Sequence, residues 1–203
     1  MLTVDRWSLL WQRLGAHAPS RELEALVARY AEPHRHYHTA QHIGECLSHF
    51  DGAHSLCERP GEVELALWFH DAIYDPRAKD NEALSAQWAL RVMREAGLAV
   101  EAQDGVHALI MATRHDALPD SQDTKVLVDI DLSILGADAS RFDEYENQVR
   151  AEYGWVPTFL FRRKRKEILE NFLARASIYA TPHFRNQLEK KARDNLARSL
   201  SKL

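Results

Sequence analysis

Cysteine is scarce in this chain of 203 residues, which carries only Cys46 and Cys57. Cys46 lies inside a helical pattern, and two thiols so placed suit a reducing compartment better than a disulfide framework. The cytoplasm is the expected location. Long apolar runs are missing too, since no segment reaches the roughly 20 apolar residues needed to span a bilayer. The opening "MLTVDRWSLLWQRL" breaks its apolar stretch with Asp5, Arg6 and Arg13, unlike a signal peptide. No membrane partner is expected. Positive charge is not in excess: 26 Lys and Arg stand against 30 Asp and Glu, a net charge of −4. Bulk nucleic acid binding is therefore not expected. Internal repeats, low-complexity tracts and the two-residue alternation of strands are absent as well.

What the chain does have is a 45% hydrophobic composition, with apolar residues recurring at helical spacing. Trp7, Leu10, Trp11 and Leu14 open the series. Leu23, Leu26, Val27 and Tyr30 follow Ser20, which reads as a capping residue. The stretch from Gly61 to Phe69 is apolar on most faces, as a central helix should be. From Asn81 to Ala96 a stripe of Leu84, Trp88 and Val92 runs toward a stop at Gly97. Val106, Leu109, Ile110 and Thr113 mark another helix, and Thr158 to Tyr179 a long one carrying the basic run "RRKRK", Arg162 to Lys166. That run is either a solvated helix face or a phosphate-attracting rim. Thr181-Pro182 has the capping hydroxyl and first-turn proline of a helix start. Breaks fall at Pro33, Gly52 to Pro60, Asp75-Pro76, Leu118-Pro119 and Gly154 to Pro157, all too short to be interdomain linkers. The expectation is one all-α domain over residues 1–203, a bundle of about nine or ten helices.

Three stretches stand out chemically. In "RHYHTAQHI", a helix capped by Thr39 and running to Phe50 would turn His42 toward the core, one turn before Cys46, with His38 at the rim of the same pocket. His34 and His36 fall in the preceding loop and read as exposed. In "ALWFHDAIYD", His70 and Asp71 end an apolar helix, where burying both is costly unless they are hydrogen-bonded to a neighbour or bound by a divalent cation. In "KVLVDIDLSILG", the helical angle of about 100° per residue puts Asp131 on the apolar face with Leu127, Ile130 and Ile134. It puts Asp129 nearly opposite, as a cap or a partner for a nearby arginine.

A His, an adjacent His-Asp and a distant Asp on helices resemble the HD superfamily of metal-dependent phosphohydrolases. The resemblance implies a helical HD-type bundle in which His42, His70, Asp71 and Asp131 hold a divalent metal ion. Mn, Mg, Co, Ni, Zn and Fe are all candidates, in one or two copies, with Asp71 able to bridge a pair. "YHTAQH" is also similar to the "YHNxxH" motif of cyclic nucleotide phosphodiesterases, with Thr39 in place of the asparagine, which makes His38 the candidate general acid. The spread of motifs through "DNEALSA" and "ENFLARASIYATPHF" looks like a compact, largely uncharacterised family of predicted HD phosphohydrolases about as long as this chain.

What this implies is metal-assisted hydrolysis of a phosphate ester or anhydride in a small phosphorylated metabolite, with a nucleotide the leading class. Glu82 is a candidate for orienting or deprotonating the attacking water, against the alternative of an acidic residue favoured in a first helical turn. Arg35, Lys79 and His115 are candidates for binding substrate phosphate; His107 and Lys125 carry less weight. Two other readings stay open: an HD-fold di-iron oxygenase using His115 and His107, and a non-catalytic nucleotide-binding regulatory module. Tyr153 and Trp155 beside Pro157 fit a pocket or a homodimer contact, with core packing the default for aromatics.

Overall fold

Helices follow the apolar spacing nearly throughout the computed structural model, which describes residues 2–115 and 119–203. Ten α-helices form among the described residues and no strand does: α1 (Val4–Arg13), α2 (Ser20–Tyr30), α3 (Ala40–Ala53), α4 (Pro60–Phe69), α5 (Asn81–Glu95), α6 (Val100–Ala112), α7 (Gln122–Asp131), α8 (Ala139–Glu152), α9 (Thr158–Ala174) and α10 (Pro182–Leu200). Single 3-10 turns occupy His54–Leu56 and Leu132–Gly136. The break expected at Leu118-Pro119 reaches outside the described residues. No helix of the described residues is long and apolar enough to cross a membrane. The chain divides into two compact units, Met1–Val128 and Asp129–Leu203.

The first unit is built on α4, whose residues Glu62 to Phe69 are all buried. A helix apolar on every side belongs inside a bundle, and α1, α3, α5 and α6 pack around this one. Trp7 of α1 meets Trp11 and Trp68 edge-on, with ring centroids 5.5 and 5.1 Å apart, and Phe69 meets Trp88 the same way at 5.8 Å. Two carboxylates interrupt this apolar helix: Glu62 pairs with Arg59 at 3.2 Å, and Glu64, 2% exposed, accepts a 2.7 Å hydrogen bond from Arg6. A buried carboxylate without such a partner would cost several kcal/mol. Asp123, at the start of α7, accepts the Glu58 and Arg59 backbone N–H groups at 2.7 and 2.9 Å, and Gln122 donates to the Leu56 carbonyl at 3.2 Å.

Two details of this unit differ from the sequence reading. Ser20 is the first residue of α2 rather than its cap, a place taken by Pro19 with no side-chain bond. The buried stripe of α5 is Ser85, Ala86, Ala89, Val92 and Met93. Leu84 is exposed and Trp88 half-buried, its indole N–H donating to Glu22 at 2.7 Å. Three of these five inner residues are small, a feature that a search for large apolar side chains does not reveal.

In the second unit α10 packs against α9 and the 3-10 turn after α7, and Asn195 on α10 donates to the Leu135 and Ala137 carbonyls at 3.0 and 2.9 Å. Thr181 caps α10 as its sequence predicts, accepting from the Phe184 N–H. The α9 helix stops at Ala174, short of Tyr179, because residues 177–181 are drawn into bonds with the carboxylates of Glu189 and Asp129. In "RRKRK", Arg162, Arg163, Lys164 and Lys166 are exposed, whereas Arg165 is buried, bonded to Glu146 and stacked over Tyr145.

Candidate metal centre

Two helices of the first unit bring the histidines together. Thr39 starts α3 by accepting the Gln41 N–H, and the helical repeat then places His42 and Cys46 one above the other on the buried face. His70 follows α4 as its capping residue, donating its backbone N–H to Ala66 at 2.8 Å. His42, Cys46 and His70 are each no more than 2% exposed.

His70 Nδ1 lies 3.0 Å from the Leu67 carbonyl. A carbonyl only accepts, so Nδ1 carries the proton and the lone pair of neutral His70 sits on Nε2. That atom faces His42 Nε2 at 3.2 Å and Asp71 Oδ2 at 3.1 Å, while His42 Nε2 and the same Asp71 oxygen are 3.4 Å apart. These three atoms form a triangle of nearly equal edges. Lone pairs so close repel unless positive charge sits among them, as a proton or as a cation. Ligands bonded tetrahedrally at about 2.0–2.1 Å lie roughly 3.3–3.4 Å apart, so the triangle and its imidazole-carboxylate chemistry fit a divalent cation.

Burial disfavours the charged form of Asp71, but the neighbouring His70 and His38 rings, with His42 at hydrogen-bond distance, outweigh it and hold its carboxyl well below the usual carboxylate range. Asp71 is therefore an ionised carboxylate facing imidazoles.

Cys46, which the sequence did not place at the site, lies close to these rings. Its Sγ lies 3.7 Å from Nδ1 and 3.8 Å from Nε2 of His42, and one donor atom from each of His42, Cys46 and His70 lies within 4.8 Å of the other two. The four-residue spacing from His42 was the available signal.

His38 is half-buried and stacks on Tyr74, with ring centroids 4.1 Å apart and planes 26° from parallel; its ring is 6.0 Å from that of His42. The Tyr37 ring packs against that of His42, with centroids 4.7 Å apart. His34 and His36 are exposed, as their loop position suggests.

Arg35, expected at substrate phosphate, is 5% exposed and bound inward. It donates to the backbone carbonyls of Asp71 at 2.6 Å, His38 at 3.1 Å and Ala72 at 3.0 Å, and to the Glu32 carboxylate at 3.0 Å. Its guanidinium also lies over the rings of Tyr30 and Tyr74. These bonds make it a strap joining the histidine loop to the His70-Asp71 turn.

Lys79 is exposed in the loop before α5, and Glu82 is half-buried in the first turn of that helix. His115 is half-buried with a left-handed φ of 54°, and His107 is exposed on α6.

Of the two aspartates on α7, Asp129 is fully buried in the second unit. Its carboxylate accepts the Ala180 and Thr181 N–H groups at 2.7 Å each and the Thr181 hydroxyl at 2.6 Å. It is a cap, as expected, but it does not lie on a solvent face. Asp131, the last residue of α7, is half-buried. No family model, curated protein or solved structure matches this chain.

Proposed function

We propose that this protein is a metal-dependent phosphohydrolase acting on an ester or anhydride bond of a small phosphorylated metabolite, with a nucleotide the expected class. The observation that carries the reading is the triangle of His42 Nε2, His70 Nε2 and Asp71 Oδ2, with edges of 3.1 to 3.4 Å. By the HD resemblance Asp131 is a further ligand.

A bound divalent cation supplies a water of lowered pKa and a counter-charge for phosphoryl oxygens. The protein's own residues do the rest. Arg35 fixes the Asp71 backbone, so the carboxylate meets the ligand triangle without a costly search for position. His38, held by its stack on Tyr74 at the half-buried edge, carries the proton for the departing oxygen. Glu82, in the first turn of α5, is the candidate base for the attacking water, and exposed Lys79 and half-buried His115 are the candidates for the phosphate itself.

The test is a panel of nucleotides and generic phosphate esters assayed with Mn, Mg, Co, Ni and Zn in turn. Phosphate or nucleoside release that requires added metal supports the reading. Stoichiometric iron with oxygen-dependent turnover would replace it with the oxygenase.

A further inference from the structure

We infer that Cys46 is itself a ligand of this centre and selects a thiophilic cation, zinc above all, over magnesium; the inference rests on the metal centre proposed above. Cys46 follows His42 by four residues on the buried face of α3 and is 1% exposed. A small buried thiol usually serves as core packing, set among aliphatic neighbours. This one instead has both ring nitrogens of a candidate ligand at 3.7 and 3.8 Å. A sulfur bonded at about 2.3 Å and a nitrogen at about 2.0–2.1 Å to one five-coordinate zinc are roughly 3.1–3.8 Å apart, depending on the angle between them. The observed separations fall in that range, and the same sulfur belongs to the His42, Cys46 and His70 group gathered within 4.8 Å.

The consequence is chemical. Two imidazoles and a thiolate are donors that favour zinc, cobalt or iron, whereas magnesium takes oxygen ligands and keeps its waters. Ligation forms one metal–sulfur bond and releases the thiol proton to solvent, with no change in oxidation state. The chain's other thiol provides an internal control. Cys57 is half-buried beyond the end of α3, 4.0 Å from the Ala53 carbonyl.

Cobalt(II) reads the ligand set directly, without activity. The full-length metal-free protein is titrated with cobalt(II) and its absorption followed, alongside Cys46→Ser, Cys46→Ala, Cys57→Ala and His42→Ala, each checked for native thermal unfolding. The expected result is one equivalent bound, with visible ligand-field bands and a near-ultraviolet sulfur-to-cobalt charge-transfer band. That band persists in Cys57→Ala and disappears in both Cys46 variants while they keep their visible bands. Zinc affinity in Cys46→Ser falls at least about tenfold, and magnesium affinity does not change. Visible bands in the wild type without charge transfer, or charge transfer that survives loss of Cys46, overturn the role of Cys46 and leave the metal centre standing. Absence of cobalt binding, or binding unaffected by His42→Ala, overturns both.

Discussion

The Arg35 guanidinium donates to the backbone carbonyl of Asp71 at 2.6 Å, across 36 positions of sequence. A buried cation thus holds the loop bearing His38 against the turn bearing His70 and Asp71. Removing it leaves the Asp71, Ala72 and His38 carbonyls and the Glu32 carboxylate short of a donor. Arg35→Met should lose about 3–5 kcal/mol of stability by denaturant unfolding, the range for breaking a buried ionic network. Arg35→Lys, lacking the planar fork, should recover only part of it. Metal affinity in Arg35→Lys should drop about 10–100-fold, as for other changes that leave the ligands in place but free to move.

The two aspartates of α7 should separate stability from metal binding. Asp129→Asn places amide hydrogens where three donors converge and should cost about 2–3 kcal/mol, with metal affinity unchanged. Asp131→Asn should do the reverse, lowering metal affinity at least about tenfold with little effect on the unfolding midpoint. Isothermal titration and chemical denaturation of the same samples decide between this pattern and its opposite.

This pair also marks the limit of what is legible in the sequence. Helical spacing gave the all-α class, the cap at Thr39, the helix begun by Thr181-Pro182 and the inward turn of His42, because each depends on local rules. The same wheel set Asp129 opposite the apolar face, yet it is fully buried. A wheel identifies the face that is apolar, and a second buried face satisfied by the backbone of residues 180–181 leaves no apolar trace. Arg35 escaped for a related reason, since a charged side chain in a histidine-rich loop looks exposed until the carbonyls that receive it, 36 and 37 residues away, are in place. Cys46 stood in plain view but lacks a place in the HD ligand pattern.

His38 should matter to turnover and not to metal. His38→Gln keeps a polar side chain beside Tyr74 but cannot deliver a proton, so kcat should fall about 10²–10⁴-fold with metal affinity within twofold of wild type, roughly the scatter of such measurements. Substrates with activated, weakly basic leaving groups should lose far less, since their departing oxygen needs no proton. Equal losses on both kinds of substrate would count against His38 as the acid.

Acid should weaken the second unit through Glu189. Burial opposes its ionisation, but the Ile178 and Tyr179 N–H groups, Arg193 and the Ser177 hydroxyl overcome this and lower its pKa below the ordinary 4.5. A carboxylate with a lowered folded pKa stabilises the fold above its unfolded value, and that contribution disappears as pH falls through the folded one. The stability gap between wild type and Glu189→Gln should therefore be full at neutral pH and close progressively below pH 4.5. A gap that stays constant down to pH 3, roughly the lower limit for such a group, would show that the charge plays no part.

The central claim, that His42, His70 and Asp71 hold a catalytic cation, is tested most directly by phosphate release from the nucleotide and ester panel with each divalent metal, wild type beside Asp71→Ala. Metal-dependent release is expected from the wild type and none above background from a folded Asp71→Ala protein, since losing a ligand removes the metal-dependent reaction. Release that survives the Asp71→Ala substitution at the wild-type rate would contradict it.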